Sequence, residues 1–233
     1  MKLTHAIHIG IDSASIAKIK DGKPCIIKTD TLKDEIPMCV YVNKKVSIQV
    51  GDSALNAHKR DNLKSAKGWQ KKSNSFIEFT RTLGTDKTYF SSNADKEFTS
   101  EELLAEVLKA LLSFEKDQDI NAAVISIPDD YTHNQKEAVR NAGKLAGLQQ
   151  VEFIQESIAA SLSYGLDSIN KDYFWLVFNF GRKTFSTSLQ KVENGIIKVI
   201  DNEGDNYLGA VNLDFAIVDN IILPYLQGNY RIN

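Results

Sequence analysis

Cysteine, proline and tryptophan are scarce in this chain of 233 residues, with two, four and two respectively. Cys25 and Cys39 stand well apart in sequence, without the close pairing of a metal site and too few for a disulfide framework. A reducing compartment suits them best. Charge of one sign is also lacking: 28 basic and 30 acidic side chains leave a net −2. No global field therefore favours nucleic acid or an anionic membrane. No stretch approaches the roughly 18 apolar residues of a membrane span. The N-terminus runs from Met1 to His5 into a short apolar strand, without a signal peptide's apolar core. These absences lead us to expect a soluble, cytoplasmic protein whose partners include neither nucleic acid nor membrane.

One local exception to the charge balance is the basic run 59–72, with Lys59, Arg60, Lys64, Lys67, Lys71 and Lys72 against Asp61. It carries one aromatic, Trp69, and none of the interleaved stacking residues of a nucleic-acid groove, so it reads as a solvated helix face. His5, His8, His58 and His133 lie in no nucleophile motif.

What is present is a core-forming fraction, 42% hydrophobic, enough for one or two compact domains. Ala6 to Asp12 reads as a strand leading to the small residues Ser13-Ala14-Ser15. Ile16 to Ile19 then meets Asp21-Gly22, a hairpin signal, before Cys25 to Ile27. Met38 to Val42 and Lys45 to Val50 suggest a second hairpin around Asn43-Lys44. Residues 52–75 read as a polar helix followed by a loop.

Helix 100–115 is the clearest element. Thr99 and Glu102 form a capping box, and Leu104, Val107, Leu108, Leu111 and Leu112 share one face. Ala122 to Ile127 reads as a buried strand ended by Pro128. Helix 133–146 stops at Gly147, strand 151–154 follows, and helix 156–164 ends at Gly165. Strands over 174–178, 184–192 and 196–201, then helix 211–226, complete an α/β pattern.

Three stretches in this order resemble the heat-shock protein 70 chaperone family. The first is Val124-Ile125-Ser126-Ile127-Pro128, continued by Asn134-Gln135-Lys136 and Ala142 to Leu148. The second is Ile154-Gln155-Glu156-Ser157-Ile158-Ala159-Ala160 with Tyr164-Gly165. The third is Gly204-Asp205-Asn206-Tyr207-Leu208-Gly209 with Asn212-Leu213-Asp214. The similarity runs from about Ile7 to Leu226. It implies an actin-like ATPase (ribonuclease H-like) fold: a first lobe over 1–170 with an insert at about 36–99, and over 171–233 an incomplete second lobe of three strands and a helix. The remainder of that lobe and a peptide-binding domain have no counterpart in the chain.

The resemblance implies ATP or ADP with magnesium, held by Asp12, Ser13, Ser15, Asn179, Gly181, Thr184 and Gly209. Asp12 would orient metal-bound water, and Glu156 would assist hydrolysis. Several residues depart from the family pattern. The first loop is about three residues short and has Ala14 for its glycine. Thr80 stands where a lysine should reach the γ-phosphate; Arg81 beside it, on an expected extended strand, would point the other way. The second loop reads Asn179-Phe180-Gly181-Arg182-Lys183-Thr184-Phe185-Ser186, with two cations for glycines and both carboxylates gone. Side chains there would stand in the left-handed region that glycine tolerates. A contrary reading has Arg182 and Lys183 capture phosphate by charge. Ala210 replaces a second glycine, Ser157 a proline, and Lys136 the arginine that the family pairs with Pro128.

The expectation is an Hsp70-like, stress-response nucleotide-binding region with impaired or lost ATP binding and hydrolysis. The alternative is a non-catalytic pseudo-ATPase that serves as an interaction or regulatory module. Implied partners are chaperone clients, co-chaperones, or another chain completing the second lobe.

Overall fold

The computed structural model describes residues 3–66, 74–165 and 173–230, apart from the side chains of 64–66. Two compact units result, Met1–Ile154 and Gln155–Asn233. The expected lobe boundary at 170 lies outside the described residues; packing groups the helix after Gln155 with the second unit.

The first unit opens with β1 (His5–Ile9), β2 (Ser13–Lys20) and β3 (Lys23–Ile26), an antiparallel meander. Alternation decides its inner face: His5, Ile7 and Ile9 of β1 are buried, while Ala6 and His8 are exposed. The β2–β3 turn has Asp21 and Gly22 both at positive φ (52° and 76°), as a two-residue hairpin requires. Ser13 to Ser15, expected as a loop, instead begin β2, because Ala14 faces the core opposite Ile9.

Next come β4 (Ile36–Pro37), paired with β2, then β5 (Cys39–Val42), β6 (Ile48–Val50), α1 (Asp52–Ala66) and β7 (Ser75–Ile77). The β5–β6 connection spans 43–47 rather than the two residues expected, and Asn43 ties it with three hydrogen bonds to Ser47 and Lys45. Helix α1 sets Ala54 and Ala57 inward, with Lys59 and Arg60 exposed. The rest of the basic run, with Trp69 and the side chain of Lys64, lies outside the described residues.

A 3₁₀ turn, Phe79–Thr82, precedes β8 (Thr88–Ser91) and β9 (Lys96–Thr99). Helix α2 (Ser100–Leu112) starts on the expected capping box. Strand β10 (Ala122–Ile127) adds in parallel to β1, with Ile7 opposite Ile125. Helix α3 (His133–Leu145) has a second capping box, Thr132 with Gln135, and β11 (Gln150–Gln155) completes the sheet order β11-β10-β1-β2-β3. The core joins Ile7, Ile9 and Ile16 to Leu104, Leu108 and Leu111 of α2, and to Ile125, Ile127 and Val139. Each such side chain contributes roughly 1.5–3 kcal/mol on burial.

The second unit holds α4 (Glu156–Ser163) and a meander of β12 (Tyr173–Phe180), β13 (Phe185–Glu193) and β14 (Ile196–Asp205). Asn194 and Gly195 make its second turn, both at positive φ. Helix α5 (Ala210–Ile217) passes through a π turn at Val218–Ile222 into α6 (Leu223–Asn229). The π turn falls where Pro224 cannot donate to the ladder.

Candidate functional site

Asp12 sits at the tip of the β1–β2 connection. Gly10 N–H donates to the Ser13 carbonyl at 2.9 Å, so only Ile11 and Asp12 lie in the turn. A side chain on Gly10 would meet that carbonyl at 3.0 Å, a close approach that favours glycine. The Asp12 carbonyl accepts from Met38 N–H at 2.8 Å, which ties the turn to the strand pair β2–β4.

That pairing places Glu35 at the turn. Ser13 Oγ donates to Glu35 Oε2 at 2.7 Å. Ser15 lies further along β2, opposite His8, whose Nδ1 shares a hydrogen bond of 2.9 Å with Ser126 Oγ. Desolvation pushes the His8 imidazole below its ordinary value against the upward pull of the Glu35 carboxylate, although part of the ring touches water. Sequence reasoning missed Glu35 and His8. The register of β4 on β2 brings Glu35 in from a distance, and no local pattern signals it.

Thr80 lies in the 3₁₀ turn and is 3% exposed, its hydroxyl without a hydrogen-bond partner among the described residues. The expectation of an extended strand here is corrected: Arg81 Nε reaches back to Glu78 Oε2 at 3.0 Å. Thr82 anchors the turn, with its hydroxyl bonded to Tyr89 and Ser100 at 2.8 and 2.7 Å. Gly84 lies against the start of α3, where an added Cβ would meet the Asn134 backbone at 2.8 Å.

In the second unit the β12–β13 turn repeats the first. Gly181 N–H donates to the Thr184 carbonyl at 2.8 Å around Arg182 and Lys183. Neither cation has a positive φ, so the left-handed strain expected of them is absent from this tight turn. Asn179 lies within β12, opposite Ser186 and exposed, rather than in the loop.

Gly209 caps α5 and is brought onto this turn. A Cβ there would stand 2.4 Å from the Arg182 carbonyl oxygen and 2.6 Å from Lys183 N. The first amides of α5 bond inward, Ala210 N–H to the Gly181 carbonyl at 3.0 Å and Val211 N–H to that of Arg182 at 2.9 Å. Gly181, Thr184 and Gly209 thus form one packed unit. Glu156 begins α4, half-buried, where a carboxylate suits the helix N-terminus. Lys136 lies in the first turns of α3, and Pro128 ends β10.

Among the described residues no group of three or more His, Cys, Asp or Glu side chains is placed to hold a metal ion. No described helix is long and apolar enough to cross a membrane.

The family model for "Hsp70 protein" matches residues 5–232. The chain is 31% identical to "Chaperone protein DnaK" of Ureaplasma urealyticum serovar 10 (strain ATCC 33699 / Western), over 99% of its own length and 37% of that relative. It is 30% identical to the same-named protein of Ureaplasma parvum serovar 3 (strain ATCC 27815 / 27 / NCTC 11736), over 97% and 36%. The chain therefore spans little more than a third of these relatives. Its mixed α/β architecture is consistent with the family's actin-like ATPase fold, and the chain belongs to the heat-shock protein 70 family.

Proposed function

We propose that this chain is an Hsp70-family nucleotide-binding region that no longer binds or turns over Mg-ATP productively and works through protein contacts. On this reading it folds as a first lobe and part of a second. One observation carries the proposal: both turns that the family would wrap around phosphate hold only two residues and close on themselves, through Gly10–Ser13 and Gly181–Thr184. A phosphate cradle needs main-chain N–H groups turned outward together. Here the amides of Gly10, Gly181, Ala210 and Val211 already bond to carbonyls within the fold.

The side chains agree. Ser13 is bonded to a carboxylate, and Glu35 at that place repels a triphosphate, by about 1 kcal/mol per charge pair at 4 Å in water and more where water is excluded. Thr80 lacks a lysine's charge and reach. Asn179 lacks the carboxylate that would hold magnesium-bound water. The residues present therefore do not fit Mg-ATP, and we derive no hydrolytic step.

Family likeness supplies the partner classes: client or co-chaperone chains, or a chain that completes the second lobe. A reducing, cytoplasmic setting suits the free thiols of Cys25 and Cys39. A phosphate-release assay tests the reading. We expect no turnover above the uncatalysed background; a rate that Asp12→Ala or Glu156→Ala abolishes would establish a working ATPase instead.

A further inference from the structure

The interior of the second unit is polar. Its buried side chains among the described residues are Ser157, Ser161, Ser188 and Gln190, with Val192 the one aliphatic. Ser157 and Ser161 belong to α4, and a spacing of four residues puts them on one helix face, a turn apart. Ser188 and Gln190 belong to β13, two residues apart and so on one face of the sheet. Ser161 Oγ donates to Gln190 Oε1 at 2.6 Å, which joins the two faces.

Strand register adds a third element to this seam. Trp175 of β12 lies directly opposite Gln190, and cross-strand partners share a face with Cβ atoms about 5 Å apart. Its indole is half-buried where the flanking Phe174 and Leu176 are exposed, as expected of the side chain that turns towards α4.

Three side-chain atoms of the seam are shut off from the surface and have no hydrogen-bond partner among the described residues: Ser157 Oγ, Trp175 Nε1 and Gln190 Nε2. Folded proteins pair nearly all such groups, because a buried donor left unmade forfeits its bond to water. Each of the three atoms is enclosed by residues of this chain, so a further segment or a partner protein cannot reach it from outside.

We propose that the seam holds a buried water molecule, bound by Trp175 Nε1, Gln190 Nε2 and Ser157 Oγ, which bridges α4 to the sheet. Counting protons selects the ligand. An indole N–H only donates, and so does the amide nitrogen of Gln190. The occupant must therefore accept two hydrogen bonds. Water accepts both and keeps a proton for the Ser157 hydroxyl, which completes the roughly three bonds typical of a buried water. An anion would accept from all three groups, but none of the seam's side chains is cationic, and an unpaired charge is far costlier to bury than a neutral molecule.

The consequence is positional. Direct and water-borne hydrogen bonds together satisfy one placement of α4 on the sheet, and a shift of the helix by one residue would leave Gln190 and Trp175 without partners. The water thus fixes the helix that opens with Glu156, and it does so apart from nucleotide affinity.

Nuclear magnetic resonance of the ¹⁵N-labelled full chain is the test. Trp69→Phe leaves Trp175 as the single indole. We expect the Trp175 Nε1 proton to show a cross-peak to water of the sign that marks a long-lived bound molecule. Gln190→Met combined with Ser161→Ala puts an apolar chain of similar length in place of the amide and should abolish that cross-peak; Ser157→Ala should reduce its intensity. Absence of the cross-peak in the Trp69→Phe chain overturns the proposal, whether or not the other variants fold. A cross-peak that those variants leave unchanged also overturns it, as does an indole signal that shifts on titration with sodium chloride, the mark of a bound anion.

Discussion

Ser13 donates its hydroxyl hydrogen to the Glu35 carboxylate at 2.7 Å, directly after the aspartate that tips the first turn. A donor that the family resemblance would turn towards a phosphate is bound to an anion of the protein itself. Glu35 also acts on His8, raising an imidazole pKa that desolvation lowers. In Glu35→Gln the upward pull is gone, so the His8 pKa should fall further. An NMR titration of its ring protons checks this; a rise, or no change, would show that the carboxylate does not sense the ring.

Glu115 contributes to the acid response of the first unit. Burial alone would raise its pKa, but Lys18 at 2.8 Å, the Asp117 N–H at 2.9 Å and His5 at 3.4 Å outweigh burial and hold it at about 2 against an ordinary 4.5. A carboxylate with a depressed folded pKa stabilises fully above the unfolded value. That contribution should therefore disappear as pH falls from about 4.5 towards about 2. Glu115→Gln should lower stability at neutral pH by about 2 kcal/mol and flatten this acid limb in urea titrations.

Gly209→Ala tests the packing of α5 on the β12–β13 turn. The added methyl would stand 2.4 Å from a backbone oxygen rather than from a side chain that can swing away. We expect a loss of about 1–3 kcal/mol by chemical denaturation, with the second unit more susceptible to proteolysis. An unchanged midpoint would mean that the turn yields freely.

Leu108→Ala calibrates the core. Leu108 is fully buried on the inner face of α2, and its truncation should cost about 2–5 kcal/mol, in the first unit. Thr99→Ala at the start of the same helix should cost about 1 kcal/mol through the lost cap.

Local chemistry in the sequence announced the elements it controls. The Thr99–Glu102 box began α2, and Asp21-Gly22 made a hairpin, because each signal acts within a few residues. The Thr132–Gln135 box had the same form and went unread. The failures were non-local. Ser13 to Ser15 looked like a loop because small polar residues favour turns, yet pairing with β1 and β4 made them a strand. The 3₁₀ turn at Thr80 and the β8–β9 hairpin depend on packing against α2 and α3, with Thr82 bonded to Ser100.

At the candidate site the altered residues were visible and their geometry was not. Substitution of two glycines by Arg182 and Lys183 suggested strain; neither residue takes a positive φ in the two-residue turn that Gly181 and Thr184 close. Glu35 and His8 entered only through strand register. The polar seam of Ser157, Ser161, Ser188 and Gln190 was equally hidden, since its four members come from two elements with no common spacing.

Thermal unfolding of the full chain against Mg-ATP addresses the central claim most directly. A ligand bound to the folded state alone stabilises by RT ln(1 + [L]/Kd), about 2.7 kcal/mol at 100 times Kd. With both turns closed, millimolar Mg-ATP should leave the midpoint where it is. A rise that saturates with nucleotide and vanishes in Asp12→Ala would contradict the account.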